Sequence, residues 1–188
     1  LGGVGYGNYV RVADQQETIL LNKSLYANED VNTWSDLNLF AAEFKSQDLL
    51  TLSIQCNIEL DKDKEPTVLD YTLNKEIAEN KVIWKLAGQE EISLAEDAVN
   101  SVANTLVGLK GSEFVADKTP AEAGLSEPAG TIKFSLVSQV SYTIKIGNRL
   151  EDRDLFYAQP EGSNYLYTLP VWRLKNIFKS QDDLSVKP

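Results

Sequence analysis

Hydrophobic residues recur at steps of three and four over residues 93–109, which is the spacing of one face of an α-helix. The residues on and beside that face are Ala95, Val99, Val102 and Leu106, with Ala98, Ala103, Val107 and Leu109. Ser93 and Glu96 have the spacing of a capping box, in which each side chain accepts from the other residue's backbone N–H. Gly108 and Gly111 are candidate ends. The pattern predicts one amphipathic helix with a single buried face.

Most of the remaining chain alternates apolar and polar residues, the pattern of strands with one buried face. The segments that predict strands are 9–12, 18–21, 50–58, 68–73, 82–86, 114–115, 132–136, 142–146, 155–157 and 165–167. Polar or glycine-containing turns separate several neighbours, so we expect hairpins. We therefore predict an α+β fold of antiparallel strands, with the 93–109 helix packed across one face of a sheet.

Two shorter segments, each led by a tryptophan, predict helical turns at about 34–40 and 170–178. The first begins with a capping-box pattern in which Asp36 replaces the usual Glu. The second follows Pro170, a residue tolerated at the first position of a helix. The remaining segment, 179–188, is polar, and we expect it to fray.

The two tryptophan-led segments also resemble each other. Trp34 and Trp172 are each followed by Asn four positions on, an aliphatic residue five on and Phe six on, and a predicted hairpin precedes both. This order predicts an internal duplication. Residues 1–40 would be the closing half of a first repeat unit, 41–178 a full second unit and 179–188 a polar tail. On this interpretation the opening half of the first unit lies upstream of Leu1.

Composition limits the class of protein and of partner. The 188 residues suffice for one large or two small domains, and 43% hydrophobic content is typical of globular chains. The formal net charge is −10, whereas nucleic acids and anionic lipids attract basic surfaces, so we expect neither as a partner. Because the chain begins with Leu1 and contains no Met, we expect it to be a piece of a longer protein, from which a signal or anchor segment can have been removed.

Candidate chemistry is sparse. The chain contains no histidine, which excludes Ser-His-Asp and Cys-His triads and histidine-based metal sites. Cys56, the single cysteine, lies in an alternating apolar segment and is more typical of a buried hydrophobe than of a nucleophile. Residues 61–65 begin like a calcium loop, but Pro66 stands where an EF-hand needs Gly. We predict no catalytic residue, no cofactor and no metal.

Aromatic residues are the candidate contact residues, and we single out Trp34, Trp172, Tyr157 and Tyr165. Their rings can stack on sugars or pack against a protein partner, although packing within the core is their commoner role. An uncovered edge strand is a second candidate, because it can pair with a strand of a partner without any special side chain.

The segment from about 82 to 178 resembles a bacterial family known as domain of unknown function 4340. The matching residues are Trp84-Lys85-Leu86, Ala95-Glu96-Asp97-Ala98-Val99, Leu106, Leu109, Phe114-Val115, Gly124-Leu125-Ser126-Glu127-Pro128, Thr131-Ile132-Lys133-Phe134, Tyr142-Thr143-Ile144-Lys145-Ile146-Gly147 and Tyr165-Leu166-Tyr167. Val4-Gly5 and Tyr9-Val10-Arg11 resemble the tail of the same unit, which agrees with a duplication. The resemblance implies an extracytoplasmic domain behind an N-terminal membrane anchor that is absent from this chain. Some relatives lie beside transporters of the ATP-binding-cassette type, including gliding-motility-associated ones, and the family supplies no catalytic residues to transfer.

We therefore expect a non-catalytic, envelope-associated accessory or scaffold domain that engages a protein partner, with a membrane transporter complex as the candidate. The alternative is a glycan- or polymer-binding module, which requires two or more tryptophan or tyrosine rings coplanar in an open groove. A hydrolase using carboxylates alone is the least favoured hypothesis, and it requires two acids facing each other across a cleft.

Overall fold

The computed structural model describes residues 8–10, 16–21, 36–40, 43–78 and 81–186. The chain divides into two compact units, Leu1–Ser35 and Asp36–Pro188. In the first unit, β1 (Asn8–Val10) and β2 (Ile19–Leu21) pair as an antiparallel hairpin. This pairing confirms the hairpin predicted from the alternation on either side of a polar turn.

The second unit is built on an eight-stranded antiparallel sheet. Its strands are β3 (Leu49–Ile58), β4 (Thr67–Ala78), β5 (Lys81–Leu86), β6 (Glu113–Val115), β7 (Gly130–Leu136), β8 (Ser141–Arg149), β9 (Leu155–Pro160) and β10 (Leu166–Pro170). Their order across the sheet is β5-β4-β3-β7-β8-β9-β10-β6, and every pairing is antiparallel. The short β6 and the six-residue β5 are therefore the two ends of the sheet.

One face of the sheet is apolar because alternate residues of neighbouring strands lie opposite one another. Tyr71, Ile54, Ile132 and Ile144 form such a row across β4, β3, β7 and β8, and all four are buried. The α-helices described in this unit are α1 (Glu96–Val107), α2 (Val171–Ile177) and α3 (Gln181–Leu184), and a short 3-10 helix (Ser46–Asp48) precedes β3. The buried residues of α1 belong to the same core cluster as this face of the sheet. These observations confirm the predicted α+β fold.

The start of α1 differs from the prediction. Ala95 occupies the N-cap position, and no side chain caps the helix. Just before it, Leu94 forms an antiparallel β-bridge with Ser185. The predicted capping box of Ser93 and Glu96 is wrong, because the backbone before the helix pairs with the distant 184–186 segment instead. In the described part of the chain, no helix has the length and apolar character needed to span a membrane.

The segment after α2 is ordered. Ser180 forms a capping box with Asp183 at the start of α3, and Leu184 is only 1% exposed. Leu184 belongs to the same core cluster as the buried face of α1. The expectation that this segment frays is therefore wrong over its described part, up to Val186, because one apolar side chain anchors an otherwise polar stretch.

The two tryptophan-led segments have different structures. The predicted turn at 170–178 is confirmed, since α2 follows directly from Pro170 at its N-cap. The predicted turn at 34–40 is wrong over residues 36–40, where Asn38 forms a β-bridge with Lys110 instead of entering a helix. Trp34 lies outside the described residues. Pairing with the segment after α1 has overridden the local helical signal.

Candidate interaction surface

The strand β5 forms an open edge of the sheet, with no strand beyond it in the part of the chain that the structure describes. The N–H of Ala87 donates to the carbonyl of Thr72, its direct partner on β4, at 2.9 Å. In an antiparallel ladder, hydrogen-bonded pairs alternate with non-bonded pairs. The residues of β5 whose N–H and C=O groups point away from β4 are therefore Val82, Trp84 and Leu86. The Leu86 carbonyl accepts from Gln89, so the groups that point outward are both groups of Val82 and Trp84 and the N–H of Leu86. Val82 is 37% exposed, whereas Trp84 and Leu86 are only 4% and 2% exposed, so the edge is most accessible at Val82.

The end of the β4–β5 hairpin carries exposed aliphatic side chains. Ile77 and Val82 lie directly opposite each other and are 77% and 37% exposed, and Ile83 is 38% exposed. The pairing of β4 with β3 ends at Asn74, so this end of the hairpin has no β3 residue beside it. We call Ile77, Val82 and Ile83 the hairpin tip. Adjacent exposed aliphatic residues of this kind favour contact with another molecule.

Lysines accompany the backbone groups along this edge. Lys81 and Lys85 share one face of β5 with Ile83 because side chains alternate along a strand. Lys85 Nζ donates to the backbone carbonyl of Glu90 at 3.2 Å, and no ion pair involves either lysine among the described residues. The β5 strand itself contains no acid, although Glu76 lies opposite Ile83 on β4. The β5 strand thus carries two lysines and no acid on a chain of net charge −10, and its acidic neighbours are Glu76 and the Glu90–Glu91 turn.

The predicted aromatic contact residues lie in different places. Trp172 on α2 and Tyr165 before β10 are each 58% exposed. Tyr157 on β9 is half-buried against a small apolar cluster that includes Leu166. Trp34 lies outside the described residues. The structure therefore leaves Trp172 and Tyr165 accessible, and the contact role of all four residues stays a prediction.

Each of the two exposed predicted rings contacts a neighbouring side chain. Tyr165 contacts Phe114 edge-on, with 5.3 Å between ring centroids, and Trp172 lies beside the guanidinium of Arg173 at 5.0 Å. No two tryptophan or tyrosine rings stack on each other in the described ranges. The glycan hypothesis would be removed if all three tryptophans were buried. Trp84 is buried but Trp172 is exposed, so this criterion does not remove it. The hypothesis stays a prediction without support from ring geometry.

A groove of about 450 Å³ lies at the C-terminal end of α1, and its lining contains Asp36, Glu43 and Lys110 together with Phe40 and Phe44. It brings two acids to one opening, whereas a carboxylate-only hydrolase requires two acids that face each other across a cleft. No group of three or more histidine, cysteine or acidic residues is placed to hold a metal ion among the described residues. That the chain is not an enzyme stays a prediction.

Two carboxyl groups outside this groove, those of Asp61 and Glu122, have lowered pKa values. Hydrogen bonds from Lys175 and Lys64 lower the pKa of Asp61, and hydrogen bonds from the backbone and hydroxyl of Thr119 lower that of Glu122. A general acid near neutral pH needs the opposite shift. Both carboxylates instead act as fixed charges that hold surface segments in place.

Cys56 is buried, as the alternating pattern predicts. It is 5% exposed, and its thiol donates weakly to the carbonyl of Thr67 at 3.6 Å. Burial raises the pKa of the thiol to about 11 because it disfavours the charged thiolate. The thiol therefore stays protonated at neutral pH and has the character of a small hydrophobe.

Two of the motifs that carry the family resemblance meet at a structural joint. The N–H of Asn148 donates to the carbonyl of Ala123 at 2.8 Å. A Cβ at Gly147 would overlap that same carbonyl oxygen, and Gly124 has a positive φ of 73°. Glycine is therefore required where the loop before β7 crosses β8. These motif residues hold the loop against β8.

Sequence reasoning predicted an open edge but did not identify which strand forms it. A signal was present in Lys81 and Lys85, because lysines are common on edge strands, where they oppose uncontrolled pairing. The assignment still required the strand order, which depends on contacts between distant segments.

Comparison with protein families gives a match along nearly the whole chain. Residues 2–128 and residues 84–187 each match the family described as Domain of unknown function (DUF4340). The two stretches overlap, which agrees with the predicted internal duplication, and the repeat boundaries at 40 and 178 stay predictions. No curated protein and no solved structure matches the chain.

Proposed function

The chain belongs to the family described as Domain of unknown function (DUF4340), and on that premise we propose that it is a non-catalytic accessory or scaffold domain that engages a protein partner. The open edge of β5 is the observation that carries the proposal. Unpaired backbone donors and acceptors on an edge strand bind another strand without any catalytic or ligand-specific side chain. The hairpin tip adds exposed aliphatic surface beside those groups.

The location and the kind of partner follow from the family resemblance. We propose that the full-length protein is held at the cell envelope by a membrane anchor and that this chain lies outside the cytoplasm. The proposed partner is a transporter complex of the ATP-binding-cassette type. Fractionation of cells that express the full-length protein tests the location, because the protein should sediment with membranes and be cleaved by a protease added outside the cytoplasmic membrane. Recovery in the cytoplasm would contradict it.

Partner binding is tested by capture from crosslinked membranes with the full-length protein and its Val82→Pro variant. Proline removes the N–H of Val82, which points away from β4, so the variant loses an edge donor while its pairing with β4 is kept. Val137→Ser is the control, because Val137 is an exposed valine at the β7–β8 turn. Circular dichroism and thermal unfolding establish that both variants fold.

We expect a membrane protein, identified by mass spectrometry, that the wild type and Val137→Ser recover and that Val82→Pro loses. Equal recovery by all three proteins would show that the β5 edge is not the contact. Recovery of background proteins alone would contradict the function as an accessory domain.

A further inference from the structure

We propose that the β5 edge binds an extended segment by strand addition, and that this segment carries acidic residues on either side of an apolar centre. The inference rests on the proposed function and adds the chemistry of the partner to it. It follows from three features of the same edge, namely its backbone groups, the order of its side chains and its charge.

The backbone groups determine how the segment binds. Val82, Trp84 and Leu86 direct hydrogen-bonding groups outward, at every second residue, which is the spacing of a strand edge that pairs with another strand. Residues two apart on a strand are separated by about 6.6 Å. Five extended residues of a partner therefore lie opposite Lys81–Lys85, five of the six residues of β5. A helix or compact loop cannot meet outward groups at this spacing with its own backbone.

The side chains determine which residues the segment carries. On one face of β5 the order is Lys81, Ile83, Lys85, and on the other face Val82 lies beside Ile77. Side chains directly opposite each other on paired strands lie about 5 Å apart and interact, with opposite charges and apolar pairs both favourable. The matching segment therefore has an acid opposite each lysine and apolar residues opposite Val82, Ile83 and Trp84. The resulting pattern, acid, three apolar residues, acid, reads the same in both chain directions.

Charge argues against a second copy of this chain as the occupant. An antiparallel pairing of two β5 strands centred on Ile83 would place Lys81 opposite Lys85 on both sides, and like charges opposite each other are destabilising. The lysines thus oppose self-association and favour a partner strand that brings carboxylates.

The test uses the full chain and a capped, fluorescein-labelled peptide with the core glutamate-valine-isoleucine-valine-glutamate between glycine and serine residues. One control peptide has lysine in place of both glutamates. A second keeps the sequence but carries N-methyl groups on both valines, which removes the N–H groups that would face Val82 and Trp84. Fluorescence anisotropy measures binding, and amide hydrogen exchange measures protection of Val82 and Trp84.

We expect the glutamate peptide to bind and to slow exchange at Val82 and Trp84. The lysine peptide should bind at least about fivefold more weakly at low salt, because two attractive cross-strand pairs become repulsive. The N-methylated peptide should not bind. In the double variant Lys81→Glu/Lys85→Glu, the preference between the glutamate and lysine peptides should reverse. Lys81→Glu alone changes one exposed side chain. It should reduce the difference in affinity between the glutamate and lysine peptides without reversing it.

Several results would overturn the inference. Equal binding of the glutamate and lysine peptides would reject charge complementarity, and binding of the N-methylated peptide would reject strand addition. No binding of any peptide at millimolar concentration would reject the inference as a whole. A concentration-dependent dimer that Val82→Pro abolishes would identify a second copy as the occupant instead. The capture experiment decides the proposed function separately, since a partner lost with Val82→Pro supports that function even if every peptide fails.

Discussion

Leu184→Ala tests whether the C-terminal segment is part of the core. Leu184 is 1% exposed and belongs to the same core cluster as α1 and the sheet. Truncating a buried leucine to alanine removes its transfer free energy and leaves a cavity, which together cost about 2–5 kcal/mol. For a domain of this size, each kcal/mol lowers the midpoint of thermal unfolding by roughly 2–4 °C. A loss of about 3 kcal/mol therefore predicts a decrease of roughly 6–12 °C.

The assay is thermal and urea unfolding followed by circular dichroism, with Val186→Ala as the matched control. Val186 lies two residues further along the same segment and is 57% exposed, so its truncation should change the free energy of unfolding by no more than about 0.5 kcal/mol. Comparing the two variants shows whether the loss of stability comes from removing a buried side chain or from any truncation in this segment. If Leu184→Ala shifts the unfolding midpoint no more than Val186→Ala does, the segment is not packed in the core, and the account of how α1 begins is wrong as well.

Three further predictions concern single side chains. Gly147→Ala should lower the free energy of unfolding by at least about 3 kcal/mol, because its Cβ would overlap a backbone carbonyl oxygen. Gly108→Ala is the control and should be near neutral in urea titrations, because its Cβ would make only an ordinary contact of 3.8 Å with the Asn104 carbonyl oxygen. The hydrogen bond from Lys175 lowers the pKa of Asp61. The ionised carboxylate therefore stabilises the fold fully above the ordinary pKa of 3.8, and this stabilisation is lost as pH falls through the lowered pKa. Asp61→Asn should flatten the acid side of a plot of unfolding temperature against pH, and an unchanged plot would contradict this. Burial raises the pKa of Cys56 from 9.0 to about 11, so the stabilisation from the neutral thiol is complete below pH 9 and is lost as pH rises through about 11. Iodoacetamide should therefore label the thiol of the native protein far more slowly than that of the urea-unfolded protein. Equal labelling rates would show that the native thiol is accessible.

The motifs that identify the family have a structural role in this chain. The close contact of Gly147 with Ala123 holds a surface loop against β8, and the buried Trp84 contributes to the core beside β4. The surface proposed for binding is different in kind, since it uses backbone groups and a short run of exposed side chains.

Local periodicity was enough to predict most of the elements. Alternation placed β3, β7 and β8, and three- and four-residue spacing placed α1, because these periods follow directly from the geometry of each backbone conformation. Pro170 marked the start of α2 for an equally local reason. Each of these signals involves residues within a few positions of one another.

The two failed helix predictions share one cause, which is competition from distant partners. The backbone before α1 pairs with the 184–186 segment, and residues 36–40 pair beside Lys110. In both places a local helical signal was present, but pairing between segments far apart in the chain satisfied the same backbone groups. A local pattern cannot indicate which of two such arrangements has the lower free energy.

The amino-acid sequence by itself determined the class of fold, the faces that are buried, the absence of histidine chemistry and the family. Only the tertiary structure decided that β5 is the open edge, that its lysines flank an apolar centre, and that Leu184 belongs to the core. The physical reason is that periodicity specifies which way a side chain points relative to its own backbone. The neighbour that covers that side chain, or leaves it exposed, is determined by the packing of the whole chain.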